Sequence, residues 1–320
     1  MEIVSCNLCG SPDHTILHRI PDLFLENDNE QFTLVKCERC GFVYQNPRPT
    51  QSEMGQYYPT DYEPYFTEDY SNWISRFVYQ YGIEKRYRII NSIKGRTRSG
   101  RLLDIGCSTG IFLNISRRHK SYEVWGTELS EHAAKIAQER YKLNVFQGTL
   151  EEANYPTNFF DVVTLWDVLE HLPDPSATLN EISRITKPLA NLVLRVPNYD
   201  SFDAKLFGPS WAGIDLPRHN YVFSKQSLTQ LLSKKGFTVN SIKCNLAIYH
   251  AFVLSLRFWL KSKSIKTSIR RKIISILNHP ISMLLFAPIF YVYGFLLLGS
   301  EITVVATKKD EVSEGSFRGQ

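Results

Sequence analysis

From Arg101 to Lys308 the chain alternates between short apolar runs and helical periods, and no other feature restricts its fold as strongly. RLLDI reads as a strand, followed by a helix from Gly110 and the strand EVWGTEL. A helix over Glu131 to Tyr141 comes next, then the strands LNVFQG and, after Phe160, DVVTLWD. The pattern continues with a helix over Pro175 to Thr186, the strand NLVLRVPN, and a helix over Ser224 to Lys235 closed by Gly236. Phe237 to Lys243 and Glu301 to Lys308 supply the last two strands. Strands that alternate with helices form βαβ units, because parallel neighbours need a long crossover between them. The prediction is an α/β domain around a largely parallel sheet of seven strands.

The 320 residues leave room for this domain and a smaller one, and 43% hydrophobic with 22% charged residues is ordinary for a globular chain. That balance excludes wholesale disorder and a multi-spanning membrane protein. MEIVSCNLCG has neither a basic n-region nor an apolar h-region, so no secretory signal is expected and the protein is placed in the cytoplasm. The divisions expected are a zinc-binding domain over residues 1–50, a linker and helix over 51–99, the α/β domain over 100–309 and a disordered tail over 310–320. Within 51–99, the run YYPTDYEPYFTEDY disfavours regular helix and suggests a linker or lid, and Trp73 to Ile93 then turns helical in period.

LLDIGCSTG is a strand ending in Asp104 that enters a small-residue turn, where Gly106 and Gly110 let the backbone pass close to a ligand. A glycine-rich turn alone fits many nucleotide sites. Glu128, ending the next strand about 24 residues on, adds a carboxylate suited to both ribose hydroxyls of an adenosine. Thr149 and Leu150 would border the adenine, and Trp166 to His171 would close the carboxyl end of the fourth strand.

At these residues the chain resembles the class I S-adenosylmethionine (SAM)-dependent methyltransferases, in the group with D-x-G-C-G-x-G, an acidic end to strand two, and FD-x-V followed by D-V-L-E-H. The resemblance covers about Gly100 to Asn198, with Asp104, Gly106, Glu128, Asp161, Asp167, Glu170 and His171 all matching. It implies a Rossmann-like methyltransferase sheet and SAM as cofactor. It also implies cofactor contacts from Asp104, Gly106, Cys107, Ser108, Gly110, Glu128, Leu129, Thr149, Leu150, Asp167 and Val168. Ser108 departs from the pattern, which usually has glycine there; serine is small enough to adjust the turn without abolishing it. A dinucleotide site would want G-x-G-x-x-G, a spacing this turn lacks.

Cys6-Asn7-Leu8-Cys9-Gly10 and Cys37-Glu38-Arg39-Cys40-Gly41 are two C-x-x-C-G knuckles. Four thiolates so spaced suit one tetrahedral Zn2+, structural because no coordination position is left open. Cys107 and Cys244 read as buried thiols. A zinc segment ahead of this core resembles sugar C-methyltransferases and relatives of polysaccharide and antibiotic pathways, in which the zinc domain packs over the active site and helps shape the substrate pocket.

Methyl transfer needs orientation and, for an oxygen or carbon nucleophile, a general base. His171 and His219 are the candidates, with Tyr221 beside them; His171 is either a base or a turn-ordering histidine, and His219 either a base or a loop-packing one. Arg218 would pair with a phosphate or carboxylate of the substrate, and Tyr58 and Tyr62 would cover the site.

Between the last two strands, where the family has a tight connection, residues 245–299 form an apolar and basic helical insertion. Ser241 to Ser300 carries eight Lys and Arg and no Asp or Glu, so the net charge of +5 hides a cationic segment. Ile281 to Leu298 is uncharged, the lower limit of length for a membrane span, yet both flanking strands belong to one sheet on one side. The segment is therefore a hairpin or interfacial pair giving peripheral contact with the inner membrane face, or an apolar pair packed on protein. Nucleic acid is not expected, since Ile, Leu and Phe accompany the cations. The function expected is SAM-dependent methylation of a sugar or other small metabolite, lipid-linked or free. The alternatives are a quinone or lipid precursor at the membrane and, in another class, a non-catalytic zinc-bearing scaffold. Acceptor atom and oligomeric state stay open.

Overall fold

The computed structural model describes residues 1–58, 73–93, 100–244 and 248–310. Its centre is a seven-stranded sheet built from β4 (Gly100–Ile105), β5 (Tyr122–Glu128), β6 (Asn144–Gln147), β7 (Phe160–Trp166), β8 (Thr186–Pro197), β10 (Phe237–Lys243) and β11 (Glu301–Lys308). The order is β10-β11-β8-β7-β4-β5-β6. β4 pairs in parallel with β5 on one side and β7 on the other, whereas β11 runs antiparallel between β8 and β10. The sheet is Rossmann-like and mixed, with the expected strand count.

Strand order reverses at β4, so the loops after β4 and its neighbours diverge and leave a crevice at the carboxyl ends. The helices α3 (Ile111–Arg118), α4 (Glu131–Glu139), α5 (Pro175–Ile185) and α7 (Lys225–Lys234) follow their strands as the periodicity predicts. Their starts are set locally: Ser130 caps α4, Asp174 with Pro175 caps α5, and Ser224 caps α7 in a capping box. α2 (Trp73–Asn91) precedes β4 and packs on α3.

The first fifty residues look poor in strands by sequence, and the structure corrects this. β1 (His14–Asp22) and β2 (Asn27–Cys37) form an antiparallel hairpin, and β3 (Val43–Gln45) extends it. The fourth strand, β9 (Tyr221–Val222), comes from the loop region after β8, with Tyr44 opposite Tyr221 and Val43 opposite Val222. Alternation in β1 and β2 is broken by bulges, which hides the strand period. Burial comes from tertiary packing: Ile20, Phe32, Leu34 and Val222 share one apolar cluster with Trp211, Ile214 and Leu216.

Between β10 and β11 lie α8 (Ile248–Ser262), α9 (Thr267–Leu277) and α10 (Pro280–Phe295). α8 packs on the small sheet's cluster through Phe252, Leu256 and Trp259, and Arg257 and Lys261 reach Glu26 and Asp28 at 3.1 and 3.0 Å. On α10 the only buried residue is Gly294, whereas Leu284, Tyr291 and Phe295 are 77%, 79% and 80% exposed. Among the described residues no single helix is long and apolar enough to cross a membrane; α9 and α10 pass that test only as a pair, bent by 70°.

Candidate active site

A cleft of about 980 Å³ opens at the carboxyl ends of β4, β5 and β7. Its floor is the turn after β4. Gly106, at φ 69°, packs so tightly under Val168 that a Cβ there would lie 2.6 Å from Val168 Cγ2. Gly110, at φ 80°, caps α3, and an added Cβ would meet Leu143 and Ala137 at 2.6 and 2.9 Å. Ser108, the departure from the family pattern, adopts the glycine-like φ of 49° and donates its backbone N–H to Glu128 Oε2 at 2.8 Å. Glu128 Oε1 accepts the N–H of Ser130 at 2.8 Å. Burial raises the Glu128 carboxyl, against these backbone bonds.

Asp104, only 3% exposed, accepts a 2.5 Å bond from Thr164 Oγ1, and burial pushes its carboxyl up to about 7. The cradle fits an adenosine-bearing cofactor: close backbone approach at Gly106, a carboxylate at the end of β5, and exposed Leu129 beside it as an apolar face. Asp104, Gly106, Cys107, Ser108, Glu128, Leu129, Asp167 and Val168 line the cleft together. Gly110 stands at the head of α3 just behind it. Thr149 and Leu150 are not brought to the lining. Thr149 closes a local turn with Glu152, and Leu150 is buried in the core, although Gly148 bonds to Glu128 O at 2.9 Å and keeps this loop alongside.

Asp167 holds a left-handed φ of 60° at the end of β7 and is paired with Arg195 of β8 and, at 3.7 Å, with Arg86 of α2. Burial opposes its charge, but Arg195 outweighs it and holds the carboxyl low. Arg195 also reaches Glu301 at 3.1 Å. Sequence reading missed Arg86 and Arg195, since neither stands in a motif and only the sheet order brings α2, β7 and β8 together.

The acceptor side of the cleft carries His171 and His219, with ring centroids 4.6 Å apart at 78°. His171 Nδ1 lies 3.0 Å from Arg218 O and 3.0 Å from Tyr58 Oη, and His219 Nδ1 lies 3.0 Å from Gly213 O. A carbonyl only accepts, so both rings carry their proton on Nδ1. Burial, with His219 adding, lowers His171 to about 3; burial lowers His219 as well. Beside them Glu170 is 1% exposed, and burial, with Asp167 adding, pushes its carboxyl well above the usual range. Tyr58 lines the cleft beside His171, while Tyr62 lies outside the described residues.

Two expectations are corrected. Arg218 is fully buried and faces no substrate: it donates two 2.8 Å bonds to Asp22 of β1 and a 2.6 Å bond to Asp215. A guanidinium with two buried carboxylates is a clamp between β1 and the His219 loop. Tyr221 is equally unavailable as a catalyst. It stacks on Phe42 at 5.6 Å, donates to Pro173 O at 2.9 Å and accepts from Arg48 at 3.0 Å, and its own side chain does not line the cleft.

The two cysteine knuckles superimpose in design. Gly10 and Gly41 take φ of 75° and 74° and donate to Cys6 O and Cys37 O at 2.7 and 2.9 Å. Cys6 to Cys40 and Cys9 to Cys37 are 3.5 Å apart at sulfur, and all four Sγ atoms lie within 4.8 Å of one another. A tetrahedral zinc with Zn–S near 2.3 Å sets sulfurs about 3.8 Å apart, so the four residues fit that ion.

Strand order, the turn after β4 and an acidic end to β5 together define a nucleotide-binding α/β fold of the methyltransferase type. Residues 81–242, just over half of the chain, match the methyltransferase domain family, and the chain belongs to the class I SAM-dependent methyltransferases. It is similar to the ubiquinone biosynthesis O-methyltransferase of Hahella chejuensis, 31% identical over 133 residues, which cover 39% of this chain and 56% of that protein. The enzyme of the same name from Azoarcus sp. is 31% identical over 163 residues, covering 44% of this chain and 69% of the relative. The chain thus spans a little over half to about two thirds of these relatives. Among solved structures the [4+2]-cyclase SpnF superposes with a TM-score of 0.51 at 16% identity, covering 82% of this chain and 98% of that one, a likeness of fold alone.

Proposed function

We propose that this chain transfers the methyl group of SAM to a hydroxyl oxygen of an apolar acceptor drawn from a membrane, the class to which quinone and lipid precursors belong. The observation that carries the reading is one continuous cleft running from the Asp104–Glu128 cradle to His171 and His219, walled by His250, Ala251 and Leu254 of α8. α8 is joined to the exposed apolar helix α10, and the relatives named as ubiquinone O-methyltransferases favour the quinone side. No observation on the cleft favours the saccharide expected from the order of knuckles and core.

SAM, when bound, supplies an electrophilic methyl: its S–CH3 bond breaks with the electron pair left on sulfur as the new O–CH3 bond forms. Glu128 would hold the ribose and the turn from Gly106 to Gly110 the rest of the cofactor's polar frame. The acceptor hydroxyl loses its proton on the opposite wall, where the His219 Nε2 lone pair is the acceptor because Nδ1–H is committed to Gly213. Zinc held by Cys6, Cys9, Cys37 and Cys40 is structural in this reading, closing the knuckles against α5, where Asn7 bonds to Asp174 at 2.8 Å.

Purified protein with methyl-labelled SAM, offered an isoprenylated dihydroxybenzene and, separately, nucleotide sugars, tests the reading. Label is expected on the aromatic oxygen. His219→Ala should lower kcat about 100-fold or more with SAM affinity unchanged. No measurable binding of SAM would support the scaffold instead, and transfer to a sugar would restore the saccharide.

A further inference from the structure

The face by which α8 packs on the small sheet carries a serine in its middle. Phe252, Leu256 and Trp259 join the apolar cluster around Trp211 and Ile214, and Ser255 lies among them, completing the i, i+3, i+4, i+7 spacing of one helix face. Ser255 is fully buried. A hydroxyl set into an apolar face costs stability unless it is bonded. Ser255 Oγ–H donates to Ala251 O at 2.8 Å, within its own helix, which uses the proton and leaves the oxygen able to accept. It accepts the backbone N–H of Ala212 at 3.0 Å.

Ala212 opens the loop that carries His219. The next residue, Gly213, is pressed onto Trp211, whose ring an added Cβ would approach to 2.2 Å, and Ile214 N–H closes the turn on Trp211 O at 3.1 Å. Gly213 O takes the Nδ1–H of His219 at 3.0 Å, the bond that sets the tautomer and leaves the Nε2 lone pair facing the acceptor. Glycine has no side chain to restrain its backbone, so the direction of this carbonyl depends on what holds the turn on either side. Downstream, Arg218 ties the loop to Asp22, and His219 N–H bonds to Asp215 O at 3.0 Å. Upstream, the bond to Ser255 ties it to the insertion.

We propose that Ser255 is a positioning residue for the methyl transfer: through the Ala212 N–H it sets the Gly213 carbonyl, and through that carbonyl the ring of His219. The inference rests on the reading of His219 as the base and deepens it. It makes the insertion between β10 and β11 part of the acceptor site. The same turns of α8 present Ala251 and Leu254 to the cleft, so one anchored helix supplies the wall and orients the base.

Ser255→Ala removes the bond, and Ser255→Cys keeps the bulk of the side chain while offering sulfur, a weak acceptor. In both variants kcat should fall about 10- to 100-fold, with S-adenosylhomocysteine affinity unchanged. A second readout needs no acceptor. Full-length protein labelled with heavy nitrogen and supplied with S-adenosylhomocysteine shows the two ring nitrogens of His219 by magnetic resonance, identified as the signals that His219→Gln removes. In the parent one nitrogen holds the proton and the other a lone pair, so their shifts stand far apart. In both variants the proton is shared and the shifts move together. Parent-like His219 signals in both variants overturn the proposal, and so does a change confined to Ser255→Ala, which assigns the effect to lost packing. Should Ser255→Ala fail to fold, Ser255→Cys decides alone. A parent that binds no S-adenosylhomocysteine would count against the methyltransferase reading, while the ring signals still decide the positioning, so the two failures are distinguishable.

Discussion

Ser108 shows how a residue chosen against its backbone preference shapes the cofactor turn. At φ 49° it occupies the left-handed region, and its N–H still reaches Glu128, so the turn keeps the geometry that glycine would give. A side chain there costs about 1–2 kcal/mol, partly offset because glycine gains more freedom in the unfolded chain. Ser108→Gly should therefore raise Tm by about 2 °C, with SAM affinity within a few-fold, read by thermal melting and calorimetric titration. The motif was legible in sequence because its residues are contiguous, and Asp104, Gly106 and Glu128 stand where the spacing put them. Arg218 was misread for the opposite reason. Arginine beside histidine on a loop looks like a substrate anchor, and nothing local announces Asp22, 196 positions away in the chain.

At the scale of elements, the joins between α6 (Phe202–Phe207), α10 and β11 are polar and buried. Asp203 of α6 accepts from Ser300, just before β11, and from Tyr293 of α10 at 3.4 Å. Burial raises its carboxyl from 3.8 to about 6, more than these bonds lower it. The folded state therefore holds the proton more tightly than the unfolded chain. This contribution to stability is full below about pH 4 and is lost as pH rises through 6, with a limit of roughly 3 kcal/mol. Asp203→Asn removes the dependence: measured against the parent, the variant's Tm should improve steadily between pH 4 and 6 and then level off. A difference that stays flat across that range would show that Asp203 is ionised in the folded protein at pH 4. Sequence periodicity located every strand of the large sheet but missed β1 and β2, because bulges interrupt their alternation and their buried face is supplied by Trp211 and α8.

For the whole molecule, the cleft and the helices between β10 and β11 form one problem. Sixteen residues of α10 span about 24 Å, short of a hydrocarbon core of about 30 Å, so an apolar helix of this length suits a membrane surface better than a crossing. Lys263, Lys266, Arg271 and Lys272 are exposed on the corner that leads into it, the arrangement that meets anionic headgroups. The protein should sediment with vesicles containing phosphatidylglycerol. Leu284→Ser with Ile289→Ser should cut that binding about tenfold, and added salt should weaken it. Equal binding by parent and variant would place the contact elsewhere.

What the sequence determined by itself was local and repetitive. Strand and helix periods, caps, the glycine turn and the cysteine knuckles each need only neighbours within a few residues or a simple spacing, so they can be read without a fold. The tertiary structure decided which charges meet. The Asp22–Arg218–Asp215 clamp, the Arg86–Asp167–Arg195 set and the cluster of Glu170 with His171 and His219 all join distant segments. Burial sets the energy of each, and burial belongs to the packed molecule, so no periodicity in the chain records it.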